Sequence, residues 1–400
     1  MEDMISVIML TWEYPPRIIG GLSAHVYELS KSLAQMGVKV HVVTCDFPGA
    51  PEYEEDDGVK VHRIDSYRYP TPDFATWVAM MNVNLQHAAA EIIASGKKFT
   101  LLHAHDWLVA DASIGLKHTF RLPLVATIHS TEYGRRNGIH DDYQRMISSH
   151  ESWLTREAWR VICCSNYMAW EVSNILGVSH DKIDVVPNGI NSESYEKTPA
   201  SQEIRSRFAL TDEKLILYVG RLVHEKGVHL LLEAMPLLVR DFNAKLVVVG
   251  EGYLKEELIN RARQLGIENK VYITGFLESS ILKQLFRVAD ICVIPSLYEP
   301  FGIVALEAMV SRCPIVTTGV GGLGEILQHE KTALFVHSTP ESIRWGISQL
   351  LQNRALADAL AESAYKRAKS LYRWDNIARS TLSVYERVIK EYDAGSWKPK

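Results

Sequence analysis

Two cations and two carboxylates stand in company that suggests chemistry. In GRLVHEKG, Gly220 to Gly227, Arg221 and Lys226 lie five residues apart after an apolar run and before a helical pattern. Two fixed cations at a strand end suit a diphosphate: a guanidinium forks two oxygens, and an ammonium adds a point charge. The same residues would also serve a solvated basic turn. In SLYEPFGIVALEAM, Glu299 and Glu307 bracket an apolar run. A buried carboxylate costs free energy unless its charge or its hydrogen bonds are answered. Pro300 favours the first helical position, which predicts a helix starting at or just after it. Glu299 then lies in the preceding loop, with Glu307 about two turns in and about 9 Å away along the axis. The free amides of Phe301, Gly302 and Ile303 would offer an anion site. A sugar, a pyrophosphate and a ribose span a similar length, so Glu299 could accept from sugar hydroxyls and Glu307 from a ribose diol.

A second group of candidates lies in the first half. In HAHD, His103 and His105 are two apart on a strand-like run and face the same way. With Asp106, and with His129 at the end of VATIH, they have the makings of a metal site. No HExxH or carboxylate cluster accompanies them, so no catalytic metal is expected. Glu13 and Tyr14, in TWEYPP, either contact an acceptor or lie in a solvated loop. Tyr67, Tyr69, Phe74 and Trp77 either pack in the core or form a platform on which a sugar stacks.

The elements that position these residues alternate between β-rich runs and helical ones, the signature of parallel sheets wound with helices. Strands are predicted at 5–12, 38–45, 100–107, 123–129, 160–165 and 182–190, then at 214–222, 244–252, 271–276, 291–296, 314–320 and 332–337. Between the first two, Leu22, Val26, Leu29, Leu33 and Met36 mark one face of a helix ended by Gly37. Residues 191–213 are polar, carry Pro199 and read as a linker. The chain therefore divides into an N-terminal Rossmann-like domain (1–190), a second α/β domain (191–375) and an amphipathic helix in 376–400, expected to cross back onto the first. Ligands of such sheets bind at the carboxyl ends of the strands, so two facing sheets would share a cleft. The turn near 188–195 and the crossing near 372–376 are the candidate hinges.

Composition bounds the function class. Four hundred residues, 47% of them hydrophobic, are ample for two cores. A net charge of −5 argues against nonspecific nucleic-acid binding. No apolar segment approaches the roughly 20 residues that span a bilayer, and acidic residues stand where a signal peptide would be basic. The five cysteines include no CxxC and fall mostly in strand-like runs, as reduced buried thiols of a cytoplasmic protein would.

GRLVHEKG followed by EPFGIVALEAM resembles the donor-site pattern of the retaining nucleotide-sugar glycosyltransferases of the GT-B fold, family GT4. The likeness runs nearly end to end, through PPRIIGGLSAHVYELSKSLAQMGVKVHVVT, VVPNGIN and GGLGEIL. It implies that Arg221 and Lys226 neutralise the donor diphosphate, that Glu307 binds the ribose and that Glu299 holds the transferred sugar. Gly20 and Gly21 resemble the glycine pair whose amides approach the diphosphate. His129 matches the histidine that reaches the donor sugar, and Asn188 with Gly189 the junction turn. It further implies retention at the anomeric carbon and no bound metal or other cofactor.

HAHDW, ATIHS and the glycine pair look most like the glycogen-synthase-like branch. In that branch the HAHD tetrapeptide lies near the cleft, which implies that His105 and Asp106 either support the site from behind or lie on its acceptor side. The likeness further implies glucosyl transfer from UDP-glucose or ADP-glucose to an α-glucan or a sugar phosphate; a lipid or small-molecule acceptor is the alternative. Two departures are visible. Gly324 stands where the family commonly has a proline before the glutamate, here Glu325. Arg17, three residues before Gly20, stands near where larger glycogen synthases carry a lysine. A phosphorylase of the glycogen type would need a pyridoxal-bearing lysine motif and a longer chain. A non-catalytic nucleotide-sugar-binding protein would be expected to lack Arg221, Lys226 or Glu299, and all three are present.

Overall fold

The computed structural model describes residues 4–66 and 70–397; Tyr67 and Tyr69 lie outside them. The chain forms two compact units, one running to Asn188 and resuming at Trp374, the other from Gly189 to Arg373.

The first unit holds β1 (Ser6–Leu10), β2 (Lys39–Cys45), β3 (Tyr53–Asp56), β4 (Val59–Ile64), β5 (Leu101–His105), β6 (Leu124–Ile128), β7 (Arg160–Cys163) and β8 (Ile183–Val185). They form one sheet in the order β3-β4-β2-β1-β5-β6-β7-β8. Every pairing is parallel except β3 with β4. All six predicted strands are present. The β3–β4 hairpin is additional, and its charged residues hid it from a search for apolar runs. Its signal is the Asp57-Gly58 turn, where both residues have positive φ, 50° and 84°.

The predicted first helix spans Gly21–Gln35 and buries Leu22, Val26, Leu29 and Leu33. Met36 is its C-cap, and Gly37 turns away at φ 87°. The last helix, Trp374–Ala394, buries Ile377, Val384, Tyr385 and Val388 in the same core as Val26 and Leu29. Side chains of this size contribute roughly 1.5–3 kcal/mol each when fully buried, so this helix is an integral part of the first unit.

The second unit holds β9 (Lys214–Val219), β10 (Ala244–Val249), β11 (Val271–Gly275), β12 (Ile291–Ile294), β13 (Ile315–Thr317) and β14 (Leu334–Phe335). Their order is β11-β10-β9-β12-β13-β14, all parallel. Residues 191–213 are more than a linker: Ser192–Glu196 and Gln202–Phe208 are helical, and Tyr195, Ile204 and Phe208 are buried. Strand order reverses direction beside β1 in the first sheet and beside β9 in the second. Such switch points open a crevice at the strands' carboxyl ends. Among the described residues, no helix is long and apolar enough to cross a membrane.

Candidate active site

At the switch point of the second unit, the loops after β9 and β12 are tied together. The amides of Leu297 and Tyr298 donate to the carbonyl of Glu225, at 2.8 and 3.1 Å. Gly227, at φ 67°, lies so close to the other loop that a Cβ there would sit 1.9 Å from the Pro295 carbonyl oxygen. Only glycine meets both demands. This clamp sets the ammonium of Lys226 2.7 Å from Glu299 Oε2, which also accepts from Ser296 Oγ at 3.1 Å. Both charged side chains are mostly buried, 19% and 13% exposed. Arg221 stays outside this pair. Its guanidinium is 46% exposed and reaches Glu225 at 3.3 Å, free to turn towards an anion. Arg221, Lys226 and Glu299 thus come together, while Glu225 and Ser296 are partners that sequence reasoning missed.

The helix after Glu299 begins later than the proline implied. It spans Ile303–Val310, with Gly302 as its cap at φ 107°. That conformation is non-helical, so Pro300 and Phe301 belong to the loop. Glu307 is therefore the fifth helical residue, little more than one turn in, a correction to the predicted two. The amides of Phe301, Gly302 and Ile303 meet no backbone acceptor among the described residues. The GGLG turn packs directly against this start: Gly322 donates to the carbonyl of Glu299 at 2.9 Å. The Glu325 carbonyl accepts from Arg367 at 3.0 Å. Glu307 Oε1 accepts from the Tyr195 hydroxyl at 2.8 Å. Burial pushes its carboxyl up to about 7, against the pull of Tyr195 and Lys283. Tyr195 went unnoticed because it lies 112 residues from its partner, in the segment read as a linker.

In the first unit, the β1 and β5 ends carry the remaining candidates. Glu13 is 3% and Tyr14 1% exposed, which corrects the solvated-loop reading. Tyr14 pairs with Ser30 and packs on Tyr27 in the core, so it is not placed to meet an acceptor. Glu13 Oε2 accepts from the amides of Ile19 and Gly20, at 2.6 and 3.0 Å, and burial raises its carboxyl to about 7. The Gly20 amide is thus already occupied by protein. Gly20 is extended, φ −158°, and caps the helix whose first residue is Gly21. A Cβ at Gly20 would meet nothing within 4 Å. The expected result for Gly20→Ala is an unchanged melting temperature with a raised KM for the donor. An unchanged KM would show that no ligand approaches there.

The HAHD residues divide by role. His103 is fully committed: its Nδ1 is 2.7 Å from the Tyr385 hydroxyl and its Nε2 2.7 Å from Thr127 Oγ1. Asp106, at φ 64°, accepts from the amide of His129 at 2.9 Å, and burial lifts its carboxyl to about 6. It therefore braces the end of β6 from within, which is the supporting one of the two roles the sequence left open. His105 is fully buried as well, with its Nδ1 3.3 Å from His129 Nε2. Asn188 Oδ1 lies 2.5 Å from His25 Nδ1 and holds that ring rather than presenting a free donor-binding group. Arg17 sits over Trp12 and Trp77, and Phe74 stacks on Trp77. Phe74 is itself 45% exposed, so this cluster is only partly core.

Comparison with known proteins bears on the family and the fold. Residues 200–367 match the family described as "Glycosyl transferases group 1", and residues 19–194 match "Glycosyltransferase Family 4". An uncharacterized glycosyltransferase of Methanocaldococcus jannaschii is 39% identical, covering 96% of this chain and 98% of its own. A glycogen synthase of Mycobacterium tuberculosis is 34% identical, covering 95% and 94%. Among solved structures, sucrose-phosphate synthase from Thermosynechococcus elongatus superposes with a TM-score of 0.84 at 21% identity, over 97% of this chain and 100% of that one.

Proposed function

The chain belongs to the group 1 glycosyltransferases of the GT-B fold, family GT4, and from that premise we propose retaining transfer of a hexosyl group from a nucleoside-diphosphate sugar. The sugar is glucosyl, the donor UDP-glucose or ADP-glucose, and the acceptor a hydroxyl of an α-glucan or a sugar phosphate. The relative named glycogen synthase supports this choice. The observation that carries the reading is the mostly buried Lys226–Glu299 pair, clamped near the half-exposed Arg221 at the switch point of the second sheet.

Lys226 and Arg221 neutralise the diphosphate, assisted by the amides of Phe301, Gly302 and Ile303. Glu299 accepts from hydroxyls of the sugar, and Glu307, oriented by Tyr195, from the ribose diol. The family pattern also assigns His129 to the sugar. The bond from the anomeric carbon to the β-phosphate oxygen breaks as the acceptor oxygen attacks from the same face. The acceptor proton passes to the departing phosphate. Charge growing on that phosphate is what the fixed donors stabilise, and this assignment asks for no metal or other cofactor. All five cysteines are buried, which fits a reducing, cytoplasmic setting.

The test is release of free nucleotide from UDP-, ADP- and GDP-glucose, with and without glycogen or glucose 1-phosphate. Anomeric configuration of the product is read by NMR. No release from any donor, or an inverted product, overturns the reading.

Glu307 adds a pH signature. Its carboxyl, held near 7 by burial, accepts best from a diol when ionised. Affinity for a nucleotide sugar, whose own phosphates do not titrate in this range, should strengthen by up to about tenfold between pH 6 and pH 8. Glu307→Gln should bind more weakly and with a flat profile. A flat profile in the unaltered protein would remove Glu307 from the ribose.

A further inference from the structure

His25, His105 and His129 converge in the first unit. One ring nitrogen from each lies within 4.8 Å of those from the other two. We propose that these three imidazoles form a binding site for zinc, distinct from any requirement of the transfer reaction. The HAHD motif alone pointed elsewhere, because His103 has both nitrogens engaged with Tyr385 and Thr127. The third ligand comes instead from the Gly21–Gln35 helix. There His25 lies three residues after Leu22 and four before Leu29, on the buried stripe.

Three observations favour zinc over three merely packed rings. First, His105 Nδ1 and His129 Nε2 are 3.3 Å apart. Tetrahedral bonds of 2.0–2.1 Å put neighbouring zinc ligands about 3.3 Å apart, so this edge is already formed. Second, the Nε2 of His25 is buried and has no hydrogen-bond partner. An unmet buried nitrogen is costly, and a metal would satisfy it. Third, His25 Nδ1 faces Asn188 Oδ1 at 2.5 Å. An amide oxygen accepts only, so Nδ1 carries the proton and Nε2 presents its lone pair. That is the outer-shell arrangement that fixes a ligating histidine.

A metal takes each of the three rings in its neutral form. The proton shared between His105 and His129 must leave their contact. Written on His105 Nδ1, it moves to the unpartnered Nε2 of the same ring, so no net charge is lost. Three protein ligands leave a fourth position open to water.

The proposed function gives His129 to the donor sugar, and the consequence for activity rests on that reading. A ligating His129 cannot serve the sugar, so zinc should act as an inhibitor reversed by chelation.

The test uses the full chain, stripped with EDTA and dialysed. Titration with Co2+, as a spectroscopic stand-in for zinc, should give the visible absorbance of a four-coordinate nitrogen site. That absorbance should saturate at one equivalent and be abolished by Zn2+. His25→Ala should weaken binding at least about tenfold. Asn188→Ala, which keeps all three ligands, should weaken it about 10–100-fold, as outer-shell changes do. No absorbance at stoichiometric cobalt, or unaltered affinity in both variants, overturns the site. Stoichiometric binding with loss of nucleotide release supports both the site and the role of His129. Binding without inhibition supports the site and removes His129 from the sugar.

Discussion

Replacing Lys226 with alanine should cut turnover by about two orders of magnitude or more and leave the chain folded. The ammonium is half of a pair with Glu299 at 2.7 Å, and both side chains retain some exposure, 19% and 13%. The variant therefore opens a gap that water can enter, with Ser296 Oγ still donating to Glu299 at 3.1 Å. The cost to stability should be about 1–3 kcal/mol, readable as a shift in the urea midpoint without loss of cooperativity. The cost to catalysis is larger because the lost charge acts where negative charge develops. An interaction made chiefly in the transition state lowers kcat and kcat/KM together. Nucleotide release under saturating donor measures this directly. A variant with near-normal kcat would show that Lys226 serves only to neutralise Glu299, and the diphosphate assignment would fall with it.

Much of this arrangement was legible in the sequence because the inner strands of the second sheet are buried on both faces. β9, β10 and β12 read as continuous apolar runs, so the residues that follow them stand out at once. Arg221, Lys226 and Glu299 were found that way. What stayed hidden was nonlocal. Tyr195 contributes a hydroxyl to Glu307 from a polar segment with Pro199 nearby, and neither periodicity nor composition signals a contact across 112 residues. His25 gave no signal, since one histidine on an apolar stripe is compatible with simple packing.

The helix start misled for a local reason. Proline at the first position is a sound preference, yet Gly302 adopts φ 107° and cancels it. A Cβ there would also lie 2.6 Å from Leu323, so packing against the GGLG turn decided where the helix begins. The solvated-loop alternative for Glu13 fails although a loop after a strand is usually exposed. Here its carboxylate is drawn inward to satisfy two amides ahead of the Gly21–Gln35 helix.

Gly227→Ala should be the most damaging change that touches no reacting group. A left-handed backbone at φ 67° costs a non-glycine residue about 1–3 kcal/mol. Overlap with well-packed atoms adds typically about 1–3 kcal/mol more. The overlap here is with backbone: the new Cβ would sit 1.9 Å from the Pro295 carbonyl oxygen and 2.8 Å from its carbon. No rotamer change relieves it, so the loops after β9 and β12 must separate. Gly220 makes the useful contrast. A Cβ there would meet the Tyr218 hydroxyl at 3.2 Å, the far end of a side chain, although its φ of 156° still carries strain. The expected order of urea midpoints is wild type, then Gly220→Ala, then Gly227→Ala. Separation of the loops would also pull Lys226 from Glu299, so Gly227→Ala should lose at least as much kcat as Lys226→Ala even where it remains folded. Lys226 is the residue immediately before this glycine. A folded Gly227→Ala variant with wild-type kcat would mean that the clamp between the two loops does not position the ammonium, and the geometry of the pair would lose its mechanistic meaning.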